Sequence, residues 1–365
     1  MAPRGTPSGV VIVTPGGRHL GGGIGAVTRD IEAGLKAQTP PVPTYVLDPR
    51  GEGSILKSLW YFPKALIAFI FLRIFRGCDV AHVQVSERTS FIRKLVFVIL
   101  GRLLGMRVVL HHHGAELIPW TKSASGLANA IVSRTVNTAS LNLVLGQVWR
   151  DYLIETYKVP PKNVRVLPNG VADIADRIAQ LRGGEGAPSG NRVLLLANLS
   201  PRKGVGELLR AVARLNADTI PVTLVCAGGG EVDRYRAEAA DLGLSNVEFT
   251  GWLSRNDVLD QLSKARLIVL PSYNEGLPIT ILEGGSAGIP AIATPVGAIP
   301  EFFHDGKDIV LVEPGDVDAL AAAMARLLTD PALYDAVAAS ARETFERQFR
   351  LDIFWQRILD AYAGR

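Results

Sequence analysis

Cysteine is almost absent from this chain: 365 residues carry two, Cys78 and Cys226, each inside an apolar, strand-like run. A disulfide framework is therefore excluded as the source of stability, and both thiols read as buried core residues. Long hydrophobic runs are missing as well. In the most apolar region the longest uncharged stretch is residues 65–72, far below the roughly 20 residues that span a bilayer. The first 20 residues hold no basic segment followed by an apolar core and a cleavage site, so no secretory leader is expected and the expected compartment is the cytoplasm. There is no internal repeat and no long low-complexity tract. With 48% hydrophobic and 20% charged residues, the composition excludes disorder as the general state.

What is present suits two globular domains. A prior of about 150 residues per domain predicts two. Apolar, β-rich runs at 10–14, 44–47, 80–84, 107–110 and 141–145 alternate with helical patterns, and strands separated by helices imply a parallel sheet. The alternation breaks at 173–191, where Arg182-Gly-Gly-Glu-Gly-Ala-Pro-Ser-Gly190 has linker composition. It restarts with strand-like runs at 192–196, 222–226, 247–249, 267–270 and 291–293. The expected organisation is a first domain over 1–180, a linker over 181–191, a second domain over 192–345 and a helical tail over 346–365.

The segment richest in chemistry is Glu275-Gly-Leu-Pro-Ile-Thr-Ile-Leu-Glu283, two acids eight residues apart between a strand-like run and Gly284-Gly285. If the turn opens a helix at Gly276, Glu275 sits at its mouth and Glu283 about two turns in, on nearly the same face. A helix N-terminus suits a diphosphate, approached through the backbone of Gly276 and Leu277, while carboxylates accept hydrogen bonds from hydroxyls. A nucleotide sugar fits both requirements, with Glu275 toward the sugar and Glu283 toward the ribose. Arg202 and Lys203, just after a strand, can neutralise charge on a departing nucleoside diphosphate. Gly229, within Gly228-Gly-Gly230, permits close backbone approach. Trp252 lies near the base or in the core, and the core is the expected place.

Around these acids run Pro271-Ser-Tyr-Asn-Glu275-Gly-Leu-Pro278, Leu282-Glu-Gly-Gly-Ser-Ala-Gly288, Thr294-Pro-Val-Gly-Ala-Ile-Pro-Glu301 and His304-Asp-Gly306. Upstream stand Gly21-Gly-Gly-Ile-Gly25, His113-Gly114, Val166-Leu-Pro-Asn-Gly170 and Ser200-Pro-Arg-Lys-Gly204. In order and separation these segments, spanning most of the chain, resemble the retaining glycosyltransferases of family 4 (glycosyl transferases group 1). The resemblance implies an α/β chain of GT-B fold, two facing Rossmann-like domains with parallel sheets and an interdomain cleft. It further implies a nucleotide-sugar donor, UDP- or GDP-linked, held mainly by the second domain, an acceptor held mainly by the first, and a C-terminal helix crossing back onto the first. The matching histidine of the family lies near the transferring sugar, so His113 takes that place. Glu275 is the other candidate catalytic residue, and Gly23 and Gly25 line a loop open to donor phosphate or acceptor. The implied reaction is metal-independent, with the donor phosphate oxygen taking the acceptor proton. In one place the chain departs from the pattern: Asn198 stands where the family usually carries an arginine, five residues before Lys203.

Other readings compete. Gly21-x-Gly23-x-x-Ala26 followed by Asp48 matches a dinucleotide fingerprint, yet the glycines begin six residues after Pro15 rather than in the turn directly after the strand. A sugar-nucleotide epimerase of the same fold, or a noncatalytic sugar-nucleotide-binding subunit, would share the pocket. His111-His112-His113 suggests a metal site only superficially, since adjacent strand residues point to opposite faces; no metal is expected. Asp316-Val-Asp318 reads as a helix cap. Residues 55–110 hold nine Lys or Arg against Asp79 and Glu87, interleaved with apolar segments. These segments either cover the sheet as core helices or lie on anionic lipid at the inner face of a membrane, in keeping with a lipid-linked saccharide acceptor in exopolysaccharide or envelope assembly. Nucleic acid is not an expected partner, because no recognition motif accompanies the charge.

Overall fold

The computed structural model describes residues 6–15, 22–51, 55–86, 88–184, 186, 188, 190–218 and 220–364, with the backbone alone at 55–58. The chain divides into two compact units, residues 1–169 with 351–365, and residues 170–350.

In the first unit the strands are β1 (Val10–Val13), β2 (Thr44–Leu47), β3 (Val80–Val85), β4 (Arg107–His112), β5 (Leu141–Val144) and β6 (Val164–Val166). They form one sheet of order β2-β1-β3-β4-β5-β6 with every pairing parallel. β1 and β3 are buried at every residue, whereas the edge strand β2 is half-buried throughout. Continuous Val/Leu/Ile runs are what a parallel sheet covered on both faces requires. The helices are α1 (Gly22–Lys36), α2 (Ile55–Arg76), α3 (Thr89–Leu103), α4 (Leu117–Ser123), α5 (Gly126–Thr138) and α6 (Gln147–Tyr157). The C-terminal helix (Leu351–Ala363) joins this unit. Its Trp355 indole donates to the Asp30 carbonyl at 2.7 Å, and Arg107 Nε donates to the Ala361 carbonyl at 2.7 Å. Gly34 permits this contact, since a Cβ there would lie 2.3 Å from the Trp355 ring.

The second unit repeats the scheme with β7 (Arg192–Leu196), β8 (Thr223–Ala227), β9 (Val247–Gly251), β10 (Leu267–Leu270), β11 (Ala291–Ala293) and β12 (Val310–Leu311), in the order β12-β11-β10-β7-β8-β9, again parallel. Its helices are α7 (Ala175–Leu181), α8 (Val205–Ala217), α9 (Val232–Asp241), α10 (Arg255–Lys264), α11 (Ile279–Ser286), α12 (Ile299–Phe302), α13 (Val317–Thr329) and α14 (Pro331–Gln348); the C-terminal helix is α15. Chain order reverses between β1 and β3 in one sheet and between β7 and β10 in the other. At such a switch point the connections leave on opposite faces and open a crevice beyond the carboxyl ends of the strands.

The division falls at Asn169/Gly170 and Arg350/Leu351, whereas the composition break suggested residues 181–191 and 345. The glycine-rich stretch follows a helix that already belongs to the second unit: α7 packs against α10, and Arg182 Nε donates to the Ser263 carbonyl at 2.9 Å. Two short edge strands, β6 and β12, carry too few apolar residues to stand out in the sequence.

Candidate functional site

The carboxyl ends of β7 and β10 bring together what the sequence separates by 72 residues. After β7 a short 3₁₀ turn, Pro201–Lys203, is closed by Gly204 at φ +66 and leads into α8. A Cβ on Gly204 would sit 2.1 Å from the Pro271 carbonyl oxygen, so glycine lets the turn lie directly on the end of β10. In consequence Lys203 Nζ bonds Glu275 Oε1, and Arg202 donates to the Asn274 carbonyl at 2.5 Å with Glu275 Oε2 at 3.9 Å. Ser272 Oγ donates to the same Oε1 at 2.7 Å. Glu275 is only 6% exposed. A carboxylate so buried depends on these charged and hydroxyl donors.

The expected helix start is corrected here. α11 begins at Ile279, not Gly276, because the residue before a proline is held out of the helical region and Pro278 takes the cap position. Glu275, Gly276 and Leu277 therefore lie in a loop ahead of the helix, with Leu277 buried and the Gly276 carbonyl accepting from Ala298 N at 3.0 Å. Gly297, at φ +62, packs against that loop so closely that a Cβ would lie 2.0 Å from the Glu275 carbonyl oxygen.

Glu283 lies inside α11, buried, and bonds Arg255 from the start of α10. Burial pushes its carboxyl above the ordinary range, and Arg255 acts in the opposite direction. Gly228, Gly229 and Gly230 line the end of β8, where Leu199 N donates to the Gly229 carbonyl at 2.7 Å. Asn198 and Trp252 both border Gly229. Trp252 is 63% exposed, so it is a surface residue beside the glycines and not the core residue expected.

In the first unit His113 follows β4, its backbone N–H donating to the Val85 carbonyl at 2.9 Å. Burial pushes its imidazole down to about 3, so it is neutral near pH 7. His111, on the same face, lies against it with ring centroids 4.1 Å apart and planes tilted by 42°, while His112 points to the other face and meets Asn142 at 3.1 Å. Gly23 and Gly25 fall in the first turn of α1, Gly23 exposed and Gly25 buried; Gly21 lies outside the described residues. Asp48 accepts from the backbone N–H groups of Arg50 and Gly51 at 2.8 and 3.0 Å, closing a local turn. Asp316 caps α13 by accepting from Ala319 N at 2.9 Å, and Asp318 pairs with Arg214. Among the described residues no group of three or more His, Cys, Asp or Glu could hold a metal ion.

Sequence reasoning missed Arg255, Ser272 and Gly297. Ser272 was legible as a hydroxyl three residues before Glu275, but Arg255 lies 28 residues from its partner and only the packing of α10 on this unit brings it near.

Two family models account for most of the chain: "Glycosyltransferase Family 4" matches residues 10–173 and "Glycosyl transferases group 1" matches residues 178–344. Among curated proteins the chain is 29% identical, over 73% of its length and 72% of the relative's, to the GDP-mannose-dependent alpha-(1-6)-phosphatidylinositol monomannoside mannosyltransferase of Mycolicibacterium smegmatis. It is 27% identical over 99% of its length, and 96% of the relative's, to the alpha-D-kanosaminyltransferase of Streptomyces kanamyceticus. Among solved structures, sucrose-phosphate synthase from Thermosynechococcus elongatus superposes with a TM-score of 0.79 at 18% identity, covering 96% of this chain and 97% of that one. Anabaena HepE in complex with UDP and glucose superposes with a TM-score of 0.75 at 19% identity, with the same coverage. The fold is GT-B.

Proposed function

We propose, on the premise that this chain belongs to the family 4 glycosyltransferases, that it moves a sugar with retention of anomeric configuration and without a metal ion. The donor would be a UDP- or GDP-sugar and the acceptor a saccharide or lipid-linked saccharide of an exopolysaccharide or envelope glycan. Lys203 paired with the buried Glu275 at the β7/β10 switch point carries this reading. Two cations anchored there before the donor arrives supply the positive charge that a departing diphosphate needs, a role otherwise open to a divalent ion. In this scheme Glu275 positions the sugar, Lys203 and Arg202 take the diphosphate, Gly276, Leu277 and Gly229 lie along it, and Glu283 exchanges Arg255 for the ribose hydroxyls. His113, neutral, hydrogen-bonds a hydroxyl of the reacting sugar. The donor phosphate oxygen takes the acceptor proton, so no side chain has to act as nucleophile.

The test is thermal stabilisation by a panel of UDP-, GDP- and ADP-sugars, with the native protein and Glu283→Ala, since a ligand that binds the folded state raises its Tm. Stabilisation by one nucleotide class, lost in the variant, is the expected result. Stabilisation by NAD or NADP alone would overturn it. With the donor chosen, NMR of the product's anomeric proton reads retention, and turnover unchanged by EDTA reads metal independence.

An anionic membrane surface is the second part of the proposal. α2 carries two apolar faces: Ala65, Phe69 and Leu72 are buried, whereas Trp60, Ile67 and Phe75 are 76%, 69% and 71% exposed. At 3.6 residues per turn, positions 60, 64, 67, 71, 74 and 75 share about a third of the helix circumference. α3, joined to α2 by edge contacts of Phe62 and Phe69 with Phe97, adds exposed Ile92, Val96 and Leu103. Neither helix contains an acidic residue. Such a stripe, which carries Lys64 and in α3 has Arg102 next to Leu103, suits an acidic lipid interface, and a symmetric dimer through it would oppose like charges. No helix among the described residues is long and apolar enough to cross a membrane. Sedimentation with phosphatidylglycerol-containing vesicles at low salt, weakened in Trp60→Ser/Phe75→Ser, is expected. Concentration-dependent dimerisation without vesicle binding would overturn this part alone.

A further inference from the structure

On the sheet face of the first unit that α15 covers, a line of polar groups runs from the C-terminal helix to the end of β4. Tyr362 Oη lies 2.9 Å from His82 Nδ1, and His82 Nε2 lies 3.2 Å from His111 Nδ1. The His111 ring lies against His113 in a tilted contact. Tyr362, His82 and His111 are all buried.

Direction along this line follows from the phenol. Burial raises the Tyr362 phenol, so it keeps its proton, and in a buried setting that proton needs an acceptor because an unmade hydrogen bond costs about 1–3 kcal/mol. His82 Nδ1 is the acceptor at hand. A His82 that accepts at Nδ1 carries its proton on Nε2, which then donates to His111 Nδ1, because a neutral imidazole has one donor and one acceptor. His111 is thereby committed to Nε2–H. The reverse order would leave the Tyr362 proton unsatisfied.

We propose that Tyr362 is a positioning residue: through His82 its hydroxyl fixes His111 as the Nε2–H tautomer beside His113. His111 Nε2 has no hydrogen-bond partner among the described residues, so the relay presents a buried donor next to the histidine assigned to the reacting sugar. An oxygen acceptor, either a sugar hydroxyl or an ordered water, completes it. The C-terminal helix thus acts on the site through hydrogen-bond polarity as well as packing. The role at His113 rests on the proposed transferase reading; the tautomer assignment does not.

The test combines ¹⁵N NMR of the histidine rings with steady-state kinetics on the full chain. The native protein is expected to show His111 protonated at Nε2. Tyr362→Phe is expected to give a mixture of His82 and His111 tautomers and a fall in kcat of about tenfold with the donor KM nearly unchanged. His82→Gln can accept from Tyr362 through its carbonyl and donate to His111 through its amide, so it is expected to restore the Nε2–H tautomer and most of kcat, whereas His82→Leu is not. A change at His111 Nε2 on adding the sugar nucleotide identifies a sugar hydroxyl; no change identifies water. His111 protonated at Nδ1 in the native protein, or a changed tautomer with native kcat in Tyr362→Phe, overturns the proposal. Tautomers as described in a protein that binds no sugar nucleotide would defeat the transferase reading and leave the relay standing.

Discussion

Both units build the same parallel sheet with a switch point, yet they furnish it with opposite chemistry. At β7/β10 the polar groups are ions, Lys203, Arg202 and the buried Glu275, whereas along β3 and β4 they are imidazoles held neutral by burial. Ions at the end of a sheet can bind and release a charged diphosphate. Neutral imidazoles can hold hydroxyl groups without attracting anions. The contrast separates the two units by their response to charge removal and to pH.

Lys203→Ala cuts deepest. It leaves Glu275 buried with Ser272 and a more distant Arg202, so it should cost about 3 kcal/mol of stability, the low end for breaking a buried pair because Arg202 remains. Turnover should fall by about 100-fold or more, as expected on losing a charge that stabilises the leaving group. Calorimetry and steady-state rates check both. Native turnover in this variant would erase the distinction between the units.

Acidification attacks the other side. His82, His112 and His113 are pushed down to about 3, about 4 and about 3, from an ordinary value of 6.5, and His111 well below it. Below pH 6.5 the unfolded chain takes up protons that the folded unit refuses. Stability from these groups is therefore present above pH 6.5 and is lost as pH falls toward 3. A drop in Tm of about 10 °C between pH 7 and pH 5 is expected, with amides of the first unit losing hydrogen-exchange protection before those of the second. Equal loss in both units would count against the assignment.

Gly297→Ala is a finer probe. It places a methyl group against the Glu275 carbonyl at a positive φ, costs about 1–3 kcal/mol, and should halve or abolish the Tm shift produced by the nucleotide sugar although every charge remains. An unchanged shift would mean that the position of the Glu275 loop does not matter. The smallest effect belongs to Asp316→Ala, which loses the cap of α13 for about 1 kcal/mol, read as a urea midpoint, with nucleotide binding unaltered. Lost nucleotide binding there would show that Asp316 is more than a cap.

Much of the site was legible because its residues sit in short segments whose local chemistry is self-contained. The Ser200–Gly204 turn and the Glu275 loop each announce themselves by glycine, proline and charge. The helix start after Glu275 was misplaced because Pro278 and the distant Gly297 hold the loop out of the helix, and the second of these lies outside any local window. The division between units was misread for a related reason. A run of glycines marks where chain can bend, but α7 had already docked on α10.

The sequence by itself determined the two parallel-sheet units, the strands buried on both faces, the cations after β7 and the two carboxylates, since each follows from patterns a few residues long. Only the tertiary structure decided that Glu275 faces Lys203, that Glu283 faces Arg255, that α2 keeps an apolar face in the open, and that Tyr362 reaches His82. Those pairings span 28 to 280 residues. Over such separations a partner is chosen by how helices pack on a sheet, which no local pattern encodes.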